Sequence, residues 1–176
     1  MQESISKVKK DVDSERERET RSHNVILYKV SEVADREQRI KNDKEFCLEM
    51  FRDVLQVDVT QNDFKAIFRL GKLPKESGGA ASNDGSTEKL PRPLMVQFRE
   101  KSVKNQVMES LYHLRDAEDK FKRVNVSHDL SKDDRNAIKQ LVAEAKSKQD
   151  EEEGEFLWRV RGIPGQMKVI KIRRST

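Results

Sequence analysis

Ser127, His128 and Asp129 follow one another in the chain, and their types are those of a nucleophile, a general base and the carboxylate that orients it. A hydrolytic relay needs the three to converge from separate places, which consecutive side chains cannot do. SHDL is more simply a strand exit and a helix entry. Other catalytic chemistries fare no better. The three histidines and the single Cys47 show no metal-ligand spacing. Ser77, Gly78 and Gly79 have no helix directly behind them, so they do not make a phosphate-cradling loop. The sequence points away from an enzyme and from any cofactor. What remains is charge. Lys and Arg number 36 against 32 Asp and Glu, a net +4, and the placement says more than the sum. Residues 156–176 carry Arg159, Arg161, Lys168, Lys171, Arg173 and Arg174 with no acid among them, directly after the acidic run 150–155. A locally basic surface on a nearly balanced chain fits a polyanion.

With 39% charged and 34% hydrophobic residues in 176, the apolar side chains must be concentrated in a modest core. Cys47 cannot form an internal disulfide and sits among apolar neighbours, as a small core residue in a reducing compartment would. No apolar run reaches the ~18 residues of a membrane span, and MQESISKVKK lacks the apolar stretch of a signal peptide. An intracellular, soluble protein without a membrane partner is expected.

Ile5, Val8 and Val12 follow the spacing of a heptad seam, but Glu15 and Glu19 occupy the next positions. This predicts either a solvated helix or the end of an oligomerising stalk. Residues 24–30, NVILYKV, read as a strand, and residues 35–56 as a helix with Ile40, Phe46, Cys47, Met50, Phe51, Val54 and Leu55 along one stripe. Residues 64–70, FKAIFRL, make a second strand, 73–91 a disordered loop, and 94–98 a third strand that Pro93 opens. Ser102 can cap a helix bearing Val103, Val107, Leu111 and Leu114, and KRVNV at 122–126 makes a fourth strand. The order βαββαβ predicts an α+β fold with a ferredoxin-like sheet and both helices on one face.

A sheet covered on one face leaves the other open. Alternation turns Val25, Leu27, Leu94, Val96 and Phe98 toward the helices, and Ile26, Tyr28, Pro93, Met95 and Gln97 outward. Tyr28, Ile26 and Met95, with Arg92, Arg69 and Lys29 nearby, could stack bases and neutralise phosphates. They could equally be ordinary surface residues covered by the C-terminal segment. That segment reads as a helix from about Ser131, where Ser131 and Asp134 form a capping-box pattern and Ile138, Leu141, Val142 and Ala145 a stripe. FLWRVRGIPGQMKVIKI then reads as a hairpin with Trp158 and Val160 on one face, Arg159 and Arg161 on the other. Trp158 and the helix stripe are expected to pack as a small appended domain. Its basic residues are either a solvated face or half of a nucleic-acid cleft, and the absence of acids favours the cleft.

The series RSHNVILYKV, FRLGK, a loop, RPLMVQF, VNVSHDLSKDDR and WRVRGIPGQMKVIKI resembles the first open-reading-frame protein of LINE-type non-LTR retrotransposons, over nearly the whole chain. The resemblance implies three parts. Residues 1–20 would be a coiled-coil remnant, 21–127 a non-canonical RNA-recognition motif (RRM), and 128–176 a small C-terminal domain. It further implies a trimer through an upstream coiled coil. The protein would bind single-stranded RNA and DNA, coat the element's transcript in cytoplasmic or nuclear ribonucleoprotein particles, and act as a nucleic-acid chaperone. Basic residues that match those used in the family are Arg21, Arg92, Arg135, Lys139, Arg159 and Arg161, beside Tyr28, Arg69, Met95, Lys168 and Lys171. The chain departs from an ordinary RRM in having Pro93 and Met95 at the aromatic positions of the third strand, and Ile26 at that of the first. Weaker stacking and a larger phosphate share are expected. A protein-interaction or assembly module with the same sheet is the competing expectation, separable by charge reversal at Arg159 and Arg161.

Overall fold

A computed structural model describes residues 2–72, 90–152 and 154–173, and in the first helix the side chains of residue 9 and of 11 onward. Ile5, Val8, Arg174 and residues 73–89 of the loop expected at 73–91 lie outside the described residues or side chains. By its internal contacts the chain falls into two compact units, Ser22–Asp129 and Met1–Arg21 with Leu130–Thr176.

The first unit is mixed α+β. β1 (Asn24–Tyr28), β2 (Phe64–Arg69), β3 (Leu94–Phe98) and β4 (Asn125–His128) form an antiparallel sheet in the order β2-β3-β1-β4. Helix α2 (Arg36–Leu48) is capped by Asp35, whose carboxylate accepts from the Gln38 N–H at 2.8 Å. It continues as a π-helical stretch, Glu49–Val54. Helix α3 (Lys101–Glu109) leads through a 3₁₀ stretch to the short α4 (Asp119–Lys122). Val25, Leu27, Leu94, Val96 and Phe98 are all buried, as alternation predicts, against Cys47, Met50, Phe51, Leu55, Val107 and Phe121. Phe98 meets Phe51 and Phe64 with ring centroids 5.6 Å away in each case.

Two elements differ from expectation. The fourth strand begins at Asn125 rather than 122, because Phe121 and Val124 drop into the core and bend the chain as it enters the sheet. On α2, Arg39 and Asp43 are buried while Ile40 is 46% exposed, the reverse of the apolar stripe. An internal ion-pair network, described below, holds both polar residues.

In the other unit, α1 (Gln2–Ser22) is joined to α5 (Lys132–Asp150) at the latter's N-terminus. Ser131 Oγ accepts from the Asp134 N–H at 3.0 Å and donates to Asp134 Oδ2, while Arg18 Nε donates to Asp134 Oδ1 at 3.0 Å. The capping pair is thus also an anchor for α1. β5 (Phe156–Arg161) and β6 (Lys168–Arg173) form the expected hairpin. Gly162 opens its turn at φ 128°, and a Cβ there would lie 2.7 Å from the Gln166 carbonyl oxygen. Trp158 ties the hairpin to α5: its backbone N–H donates to Gln149 Oε1 at 3.0 Å, and its indole N–H donates to Glu152 at 2.7 Å. Val142, placed on the packing stripe by periodicity, is 52% exposed; Asp134 and Ala145 are buried, and Ile138, Leu141, Lys148 and Gln149 are half-buried.

Candidate nucleic-acid interface

Across the open face of the sheet, Phe68 of β2, Met95 of β3, Ile26 of β1 and Ser127 of β4 stand in one row, each opposite the next. Tyr28, one step along β1, faces Asn125. Phe68 is 43% and Tyr28 38% exposed. Strand spacing and rise separate them by about 12 Å, enough to take different bases. Phe68 was not singled out from the sequence, although the alternation that turns Ile67 inward turns it outward. Met95 does lie in the outward row, yet it is only 7% exposed, because its cross-strand neighbours are the large side chains of Phe68 and Ile26. It is a floor for the row rather than a stacking platform.

The two arginines expected beside this face are committed elsewhere. Arg69 pairs with Leu94 on the helix side of the sheet. Its Nε donates to Asp43 Oδ2 at 3.0 Å, Nη1 to the carbonyls of Val30 and Arg92 at 2.8 Å each, and Nη2 to Ser31 O at 2.8 Å and to Asp43 Oδ1. All five N–H groups of the guanidinium are used, and its side chain is 3% exposed. Arg69 is therefore an internal staple, not a phosphate ligand. Arg92 donates to Glu32 from its backbone N–H, Nε and Nη2, and to Gly71 O at 2.9 Å. Burial pushes the Glu32 carboxyl up, but the hydrogen bonds from Arg92 and the charges of Arg92 and Arg69 outweigh it and hold the group below its ordinary value. Arg39 completes the network, 3.7 Å from Glu32 and bonded to the carbonyls of Val33 and Ala34.

Cations with no acidic partner among the described residues lie elsewhere on this unit. Lys29, exposed directly after Tyr28, and Arg123 line a groove of about 560 Å³ at the end of β1. Arg123 carries no sequence signal beyond its charge.

Of the expected basic residues on the other unit, Arg21 pairs with Glu17 one helical turn away at 2.9 Å. Lys171 pairs with Glu152 and lies over the rings of Phe156 and Trp158, at 4.5 and 5.6 Å from their centroids. Hydrogen bonds from Lys171 and Trp158 hold the Glu152 carboxyl below its usual value. Lys171 thus stands on the tryptophan face, away from Arg159. The hairpin register instead puts Arg159, Arg161 and Lys168 together on the opposite face, with Arg161 directly across from Lys168. Arg135 and Lys139 are exposed one turn apart on α5.

The three consecutive residues of the triad type diverge. Ser127 faces the open side, while His128 turns inward, where Lys104 Nζ lies 2.9 Å from its Nδ1. Asp129 accepts from Asn24 Nδ2 at 2.9 Å. Burial, with the Lys104 charge, lowers the His128 pKa to about 4, so the neutral ring accepts from the lysine. No cluster of three or more His, Cys, Asp or Glu able to hold a metal ion occurs among the described residues. None of the described helices is long and apolar enough to cross a membrane.

Fold and face together define a small α+β module with one covered and one open sheet surface. In comparisons with known proteins, no family model matches the chain and no curated protein is matched.

Proposed function

We propose that this chain binds single-stranded nucleic acid, RNA foremost and single-stranded DNA as well, without catalysing a reaction. The observation that carries this reading is the open sheet face, where two exposed aromatic rings, Tyr28 and Phe68, flank the apolar floor of Ile26 and Met95. Every base has a π-face, so such a platform takes nucleotides without demanding a sequence. The strand order β2-β3-β1-β4, with α2 and α3 contributing to one core, supports a ferredoxin-like, RRM-type topology for the unit.

The hairpin supports the same reading by a different route. Like charges directly opposite in a strand pair repel. Arg161 and Lys168 stand so, with no carboxylate partner among the described residues. A phosphate laid between them would turn that repulsion into attraction. Such paired features fit a protein like the first open-reading-frame product of LINE-type retrotransposons, self-associating through an upstream coiled coil. It would coat element RNA as a chaperone in cytoplasmic or nuclear ribonucleoprotein particles.

The test is fluorescence anisotropy of a labelled RNA of about thirty nucleotides at several salt concentrations. Affinity should fall steeply with salt, as counterions are released from each neutralised phosphate. Replacing Tyr28 or Phe68 by alanine should weaken binding about 5- to 150-fold each, the range for loss of one stacked base. Retained affinity in Tyr28→Ala/Phe68→Ala would refute the sheet as the binding face. Retained affinity in Arg161→Glu/Lys168→Glu would remove the hairpin from it.

A further inference from the structure

We infer a second binding surface on the same unit: the outer edge of β2, with the adjoining flank of α2, docks an extended peptide of a partner protein whose side chains alternate apolar and acidic.

β2 is the last strand of the sheet on its side. The Leu70 N–H donates to Pro93 O at 2.8 Å, which fixes the phase of the antiparallel ladder. Ala66, Phe68 and Leu70 turn their backbone groups to β3, so those of Ile67 and Arg69 point outward. No partner strand meets them among the described residues. An unpaired edge of this kind is a template for an added strand.

Two features make the edge a site rather than a bare margin. A groove of about 560 Å³ runs the length of β2 against α2, walled by Ile40, Phe64 and Ile67. Ile40 is 46% exposed there, on a helix whose buried positions are taken by Arg39 and Asp43. Second, Arg36 and Lys44 lie one turn either side of Ile40, and Lys65 projects from the bulge between Phe64 and Ala66. These three exposed cations have no acidic partner among the described residues, so the occupant should be acidic. A second copy of β2 would bring Lys65 against like charges. A nucleic acid offers no alternating N–H and C=O groups for Ile67 and Arg69. A peptide of this kind gives its backbone to the edge and turns its acidic row to the cations that flank Ile40 on α2.

The experiment titrates the ¹⁵N-labelled full chain with a synthetic decapeptide alternating Asp or Glu with Val, following amide shifts. The expected result is perturbation centred on the amides of Ile67 and Arg69 and on residues 36–44 of α2, with affinity at least about tenfold weaker in Arg36→Glu/Lys44→Glu. Both substituted side chains are exposed, so the fold is kept. Equal binding of a Lys-Val decapeptide would overturn the proposal. So would shifts confined to the open face around Tyr28, or an RNA oligonucleotide that reproduces the same edge shifts. Failure of RNA to bind anywhere would leave this result unaffected, because the two surfaces use different residues.

Discussion

Arg69 shows how a single charged side chain can mislead a reader of sequence. In FKAIFRL it interrupts an apolar strand and looks like a surface cation, yet its partner Asp43 lies 26 residues earlier on a helix. Nothing local announces that pairing. Removing one member of a buried ion pair strands the other, at a typical cost of about 3–5 kcal/mol. Arg69→Met should therefore lower the urea midpoint markedly, while Arg69→Met/Asp43→Leu should recover much of the loss. A double variant no more stable than the single would place the loss in the carbonyls of Val30, Ser31 and Arg92 that Arg69 also bonds, not in the stranded carboxylate. His128 makes a second prediction. Its ring protonates near 6.5 when unfolded and near 4 when folded, so the unfolded chain binds the extra proton between those values. The stability is fully present above about pH 6.5 and is lost as pH falls toward 4. Allowing for the partial exposure of the ring, the loss is about 1–2 kcal/mol. Denaturant midpoints measured from pH 7 to 4 should show this slope, and His128→Gln should flatten it. An unchanged slope in the variant would assign the acid sensitivity to the carboxylates.

Elements were more legible than side chains. Period-2 alternation placed β1 and β3 to within a residue or two, and their inward faces are buried as read. The hairpin was legible because Gly-Ile-Pro-Gly punctuates two alternating runs, and its register separates Trp158 from Arg159 as expected. Helix stripes were less so. The α2 stripe failed at Ile40, and the α5 stripe at Val142, for different reasons. On α2 a network of three arginines and two carboxylates occupies the facing positions. On α5 the helix packs chiefly against a two-stranded hairpin, which covers a narrow band. In FKAIFRL, Phe68 is one apolar residue among several, and only its alternation with the inward Ile67 turns it to the open side. Charge spacing likewise could not show that Glu152 reaches Lys171.

On the scale of the whole chain, one unit is continuous, Ser22–Asp129, and the other is built from both remaining pieces. Arg18 and Asp134, which join α1 to the cap of α5, are 116 residues apart in sequence. During synthesis, then, β1 to β4 can complete their sheet while α1 has nothing to pack on. At about 5–20 residues per second, the helix waits on the order of ten seconds for its partner to be made. Proteolysis of ribosome-arrested chains of increasing length should show the four-stranded unit protected first and α1 only after α5 and the hairpin emerge. Protection of both at one length would contradict this. A salt bridge at one helix cap thus carries a timetable: α1, made before the sheet, finds its place after it.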